Sequence, residues 1–234
     1  VVVADDGSVD GTADSVRRSP AVRVLKLAKR GKGAALRAGM LAASGKVRAF
    51  TDADLPYGTE PLLLAMRCVR EEHYHAVVGD RTLPGSEYRP DGLLRATLSS
   101  LSGVIFRMLL TRGIADTQCG LKVFRGDVAA ELFRLARIDG FGIDVELIFL
   151  LRRHRLKIKR IPVRLVSNSR SSLNVINDAI RVAFDVAGIP LRAACGRYIS
   201  PAFVRLLERE SRGGACRPDE PTHQSAAGHG PLGP

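Results

Sequence analysis

Two carboxylates, Asp52 and Asp54, stand two residues apart in AFTDADLPYG (49–58), just after a short apolar run, in a chain of formal charge +12. If that run is a strand, a spacing of two puts both side chains on one face. Like charges held so close cost free energy unless a cation lies between them. One reading is structural, with one Asp capping a helix and the other bonded to backbone amides. The other is chemical: two oxygen donors at a strand end suit a hard cation, Mg²⁺ or Mn²⁺, bridged to a diphosphate. Such an ion would also stabilise charge building on a leaving group.

Three further clusters bear on that choice. VVVADDGSVDGT (1–12) is a strand, a Gly/Asp turn and a cap, with Asp5 and Asp6 at the strand end and Asp10 or Thr12 opening a helix. GKGAALRAGMLAASG (31–45) brackets Lys32 between Gly31 and Gly33 at a helix start. Backbone amides and a lysine there suit a phosphate, although the spacing is not that of a Walker loop. The small residues also permit plain helix–sheet packing. Asp80 and Arg81 close a third strand-like run, HAVVGDR (75–81).

The elements that must position these groups alternate. Strands are expected at 1–4, 22–27, 46–53 and 75–81, with helices after the first turn, at 34–44 and at 61–73. That order implies crossover units and a mostly parallel sheet, whose ligands gather beyond the carboxyl ends of the strands. Further helices are expected at 93–112, 144–154 and 173–210, the last broken near Gly188 and Pro190. A basic strand is expected at 157–166, interrupted by Pro162. Three domains of sequence follow: 1–190 as the catalytic unit, 191–211 as a helical extension and 212–234 as a disordered tail. Val1 opens directly into a strand-like run, so an upstream strand is expected to be missing.

Composition narrows the class. A pI near 10.2 implies anionic partners. Aromatics are 5% with no Trp, and the strand ends are acidic, which argues against nucleic acid. Cys68, Cys119, Cys195 and Cys216 are far apart, which argues against a zinc site and fits a reducing compartment. No apolar run approaches 18 residues. RRHRLKIKR (152–160) reads either as a solvated helix end or as a patch for an anionic lipid surface. Apolar residues between Leu173 and Phe184 are either core or an interfacial face.

Asp-Asp-Gly-Ser-x-Asp-Gly-Thr, Gly-Lys-Gly-x-Ala, Asp-Ala-Asp-Leu, Gly-x-Arg, DTQCGLKVF (116–124) and GFGIDVEL (140–147), in that order, resemble the family 2 inverting glycosyltransferases. The nearest likeness is to the dolichyl- or polyprenyl-phosphate enzymes of the glucosyl branch, over about residues 1–190. The resemblance implies an α/β, GT-A-like three-layer sandwich with a mostly parallel central sheet. It also implies transfer of a hexose, with inversion, from a UDP- or GDP-sugar to polyprenyl phosphate, assisted by Mg²⁺ or Mn²⁺, at the inner face of a cell membrane. Carried across, Asp5 or Asp6 contacts the nucleotide, Lys32 the phosphates, Asp52 the sugar-nucleotide and the metal, and Asp54 the metal. Arg81 serves the phosphates. Gln118, Lys122, Asp144 and Glu146 line the sugar and acceptor side, and Arg170 meets the acceptor phosphate. An anionic lipid phosphate needs no strong base; a hydroxyl acceptor needs one, and Asp144 is then the base. The chain departs from the family where Pro56 and Tyr57 follow the second Asp.

Overall fold

A computed structural model describes residues 1–16, 19–87, 110, 111, 113, 114, 116–166 and 175–212. Apart from Leu110 and Thr111, the helix expected over 93–112 lies outside them, as do Arg170, Cys216 and the tail from 213.

Two sheets organise the described residues. Strands β1 (Val2–Asp5) and β2 (Arg23–Lys26) pair in parallel around the short helix α1 (Thr12–Val16). The Asp10 carboxylate accepts from the Thr12 N–H at 3.1 Å and so starts α1. Helix α2 (Lys32–Ala42) lies over β1, where Gly39 lets the helix approach Ala4.

The second sheet has the order β3 (Val47–Thr51), β5 (Leu121–Arg125), β4 (Ala76–Asp80), β6 (Ile158–Pro162). The pairs β3–β5 and β4–β5 are antiparallel and β4–β6 is parallel. The sheet expected to be mostly parallel is therefore mixed. The reason is β5. It starts at the edge where β3 and β4 end, so it must run back between them. One consequence serves the site: the ends of β3, β4 and β6 and the start of β5 share one edge.

Period-two alternation divides the core. Phe50, Ala76, Val78 and Phe124 face α2, α4 (Gly126–Leu135) and α5 (Ile143–Arg153). Val77, Leu121, Val123 and Ile161 face α3 (Glu60–Arg70). Helices on both faces make three layers. Phe50, Phe124 and Phe133 meet with ring centroids 5.9–6.3 Å apart, two of the three pairs edge-on.

Among the described residues two helices follow β6. Helix α6 (Val175–Ala194) is continuous, contrary to the break expected near Gly188 and Pro190. Proline removes one helical N–H and crowds the preceding turn. Here Val186 and Ile189, both buried, anchor the turn that precedes Pro190. Helix α7 (Pro201–Arg212) packs on α4 through fully buried Phe203. Its Glu210 reaches back to His75 and Arg125.

Candidate active site

Asp52 and Asp54 lie at the shared edge, in a turn rather than on a strand. β3 ends at Thr51, and Asp52–Leu55 turn back, with Leu55 N–H donating to the Asp52 carbonyl and Leu55 at φ +46°. The one-face argument for Asp52 and Asp54 therefore does not apply. Asp54 is exposed. The Asp52 carboxylate lies against the Gly120 Cα so closely that any side chain at 120 would overlap Oδ2.

Lys32 sits between two carboxylates. Its Nζ is 3.1 Å from Asp52 Oδ1 and 3.4 Å from Asp144 Oδ2. Burial pulls the Lys32 ammonium toward neutrality, but Asp144 and Asp52 outweigh it and hold its pKa above the ordinary lysine range. Asp144, in the first turn of α5, is 2% exposed. Its Oδ1 accepts from Lys122 Nζ at 2.5 Å. Lys122 is itself buried, also donates to the Cys119 carbonyl at 2.8 Å, and lies 5.3 Å from the Phe50 ring centroid. The result is a chain of alternating charges, Asp52–Lys32–Asp144–Lys122, running inward from the edge.

The glycine loop is built differently from a phosphate cradle. The Arg30 and Gly31 N–H groups donate to Asp6 Oδ1 and Oδ2, both at 2.8 Å. The Gly33 and Ala34 N–H groups donate to the Asp139 carbonyl at 2.7 and 3.2 Å. These four amides therefore serve protein acceptors, and the Lys32 side chain is what the loop presents. Gly31 has φ +123°, and the Ile138 carbonyl leaves no room for a side chain at Gly33. Small residues here are required for close approach.

Asp5 is buried and accepts from the Ser8 N–H at 3.1 Å. Arg81 grips Asp116 twice, through Nε at 2.8 Å and Nη2 at 2.7 Å, and its backbone N–H donates to the same carboxylate. Burial raises the Asp116 carboxyl, but the bonded guanidinium overrides it and holds it below the usual carboxylate range. Gln118 is half-buried in the loop leading to Cys119. Glu146 is not beside Asp144. It accepts from the Arg137 and Ile138 N–H groups and from the Tyr198 hydroxyl, on the far side of α5. Two helical positions differ by about 200°, so the pair splits between two environments.

Asp139 carries no signal in the sequence, yet it organises the loop. Its carboxylate receives Arg30 at 2.6 Å and Arg37 at 2.8 Å while its carbonyl caps α2. Burial raises this carboxyl, but the two arginines lower it by more, for a net downward shift. The basic run 152–160 is partly consumed by pairing: Lys159 holds Glu72 at 2.5 Å and Arg160 reaches Asp80 at 3.3 Å. His75 and His154 are tied to Glu210 and the Tyr198 carbonyl, away from the site.

The sequence pattern of glycosyl transferase family 2 matches residues 1–133. The chain belongs to that family. A dolichyl-phosphate beta-glucosyltransferase of Dictyostelium discoideum is 28% identical over 208 residues, covering 84% of this chain and 64% of that protein. A second, of Trichomonas vaginalis, is 30% identical over 214 residues, covering 85% and 61%. The human protein of that name is 27% identical, covering 85% and 65%. The chain thus spans less than two thirds of the length of these relatives. In three dimensions it resembles the glucosyl-3-phosphoglycerate synthase of Mycobacterium tuberculosis. The form bound to Mn²⁺ and UDP-glucose superposes with a TM-score of 0.54 at 19% identity, covering 84% of this chain and 67% of that one. That likeness supports the GT-A-like fold.

A divalent cation fits this donor set in one manner. Among the described residues no three His, Cys, Asp or Glu side chains converge. The Asp52–Asp54 turn offers carboxylate oxygens alone, which matches a hard ion held by one or two carboxylates and completed by substrate phosphates. Asp52 now faces an ammonium, so its position already accommodates a cation.

Proposed function

We propose that this family 2 glycosyltransferase moves glucose from UDP-glucose to a polyprenyl or dolichyl phosphate, with inversion, at a membrane surface. The observation that carries the reading is the Lys32 bridge. It joins Asp52, on the donor turn, to Asp144, which the family likeness puts on the acceptor side. The relatives are dolichyl-phosphate glucosyltransferases by name, which favours glucose and a lipid phosphate.

The chemistry is one displacement. An acceptor phosphate oxygen bonds to the anomeric carbon as the bond from that carbon to the diphosphate breaks and UDP leaves. Bound between Asp52, Asp54 and the diphosphate, Mg²⁺ or Mn²⁺ would neutralise the leaving charge. Lys32 adds a cation beside Asp52, and Asp5 reads the nucleotide. Arg81, braced by Asp116, serves the phosphates, and Gln118 and Arg170 the acceptor. Both Asp144 oxygens lie beside ammonium groups, so Asp144 orients Lys32 rather than removing a proton. That favours an acceptor already anionic near neutral pH over a hydroxyl.

Contact with a membrane is supported by α6. Ile180, Phe184 and Leu191 are 50%, 76% and 69% exposed and follow helical spacing, with Arg181 beside them. Val182, by contrast, packs on the core. No helix among the described residues is long and apolar enough to cross a membrane. The test is to incubate the full-length protein with UDP-glucose or a GDP-hexose, Mn²⁺ or none, and polyprenyl phosphate or free polyprenol. Glucose transfer to the lipid phosphate alone, dependent on Mn²⁺, is expected. Transfer to free polyprenol would replace this reading with a hydroxyl acceptor and a protein base.

A further inference from the structure

Helix α5 carries Asp144 in its first turn but caps itself poorly. Its N-cap is Gly142, which has no side chain to donate or accept. The compensating group comes from α6. Asp185 lies against the Gly140–Gly142 turn, with its side chain closely packed on both glycines. A side chain at Gly140 would come within 2.8 Å of Asp185 Oδ2, and one at Gly142 within 2.7 Å of Asp185 Cβ. Neither glycine has a positive φ, so backbone strain does not require them. The approach of Asp185 does. A carboxylate at a helix N-terminus is also favoured by the exposed N–H groups and the helix dipole.

We infer that Asp185 is a positioning residue, which sets the start of α5 and thereby the reach of Asp144 to Lys32. The inference rests on the proposed transfer reaction for its kinetic part only. Asp185 acts through the Gly140–Gly142 turn, and it ties α6, whose outer face is apolar, to the Asp144–Lys32 contact. Partial burial, with Asp139 nearby, raises the Asp185 carboxyl, and Arg192 opposes this only in part.

The experiment compares Asp185→Ala, Asp185→Asn, Gly140→Ala and the Asp185→Ala/Gly140→Ala pair in the full-length protein. A misplaced contact lowers the rate with little change in donor binding, so Asp185→Ala should reduce kcat by about tenfold to a hundredfold at near-constant donor Kd. Asp185→Asn keeps the shape of the side chain and an oxygen against the Gly140–Gly142 turn and should recover most of the rate. Gly140→Ala pushes the same carboxylate away and should match Asp185→Ala, and the double variant should be no worse than either single one. Independently of activity, amide exchange at Ile143–Glu146 should quicken in Asp185→Ala and not in Asp185→Asn. Exchange rates unchanged in Asp185→Ala would overturn the inference, as would kcat losses that add in the double variant. A wild type that transfers no hexose to lipid phosphate would overturn the proposed function instead, and the exchange result would still decide Asp185.

Discussion

Lys122 Nζ and Asp144 Oδ1 lie 2.5 Å apart, both side chains almost wholly shielded from water. A buried pair adds little net stability, but removing one partner strands a charge. Lys122→Met should therefore destabilise the protein by about 3 to 5 kcal/mol, toward the lower end because Lys32 stays 3.4 Å from Asp144. Urea unfolding measures this. Replacing both residues with Met and Asn should recover part of the loss, and a double variant worse than the sum would contradict the pairing.

The donor turn is tested at Asp54. Asp54→Asn keeps the shape of an exposed side chain, so the melting temperature should hold. Mn²⁺-dependent turnover should fall on the order of a hundredfold, as expected when several kcal/mol of charge stabilisation are lost. Undiminished turnover with Mn²⁺ would remove Asp54 from the metal assignment.

Gly120→Ala tests the seat of Asp52. The added methyl overlaps Asp52 Oδ2, so the carboxylate must turn away from Lys32. Affinity for UDP-glucose should drop by about tenfold, equivalent to about 1.4 kcal/mol. Calorimetric titration that finds equal affinity in variant and wild type would show that Asp52 is not held for the donor.

A pH effect on stability should come from His75. Burial lowers its pKa, and contact with Glu210 opposes this only in part, with Arg125 and Lys157 nearby pushing the same way as burial. Its Nδ1 accepts from the Lys157 N–H at 2.8 Å, which requires that nitrogen to be unprotonated. The folded protein therefore binds this proton less readily than the unfolded chain. The stability it contributes is complete above the ordinary histidine range and is lost as pH falls through that range toward the folded pKa. One such group gives a slope of at most about 1.4 kcal/mol per pH unit. His75→Gln should show a shallower fall of melting temperature between pH 7 and pH 5 than the wild type. Identical slopes would assign the effect elsewhere, with His154, also lowered by burial, the next candidate.

Much of the frame was readable along the chain. Short apolar runs, closed by Asp5, Asp52 and Asp80, placed three strand ends, and the glycine-bracketed Lys32 placed a helix start. These signals are local, because side-chain period and turn chemistry act over a few residues. The order of six motifs carried the family, and the family carried the fold.

The pairings were decided only by packing. Asp144 and Glu146 look alike in sequence, but α5 is seated so that one meets Lys32 and Lys122 and the other meets Tyr198 and the Arg137–Ile138 amides. The antiparallel β5 arises because it starts at the edge where β3 and β4 end and runs back between them, a long-range choice that alternation alone does not encode. Asp139 and Asp185 had no motif to mark them. Asp139 meets Arg37 across 102 residues, and Asp185 meets a glycine turn more than forty residues away. A carboxylate's partner depends on which elements stack and at what distance. The sequence by itself determined the functional groups and the elements that bear them; the tertiary structure decided which charges face one another, because that depends on contacts between segments with no local pattern in common.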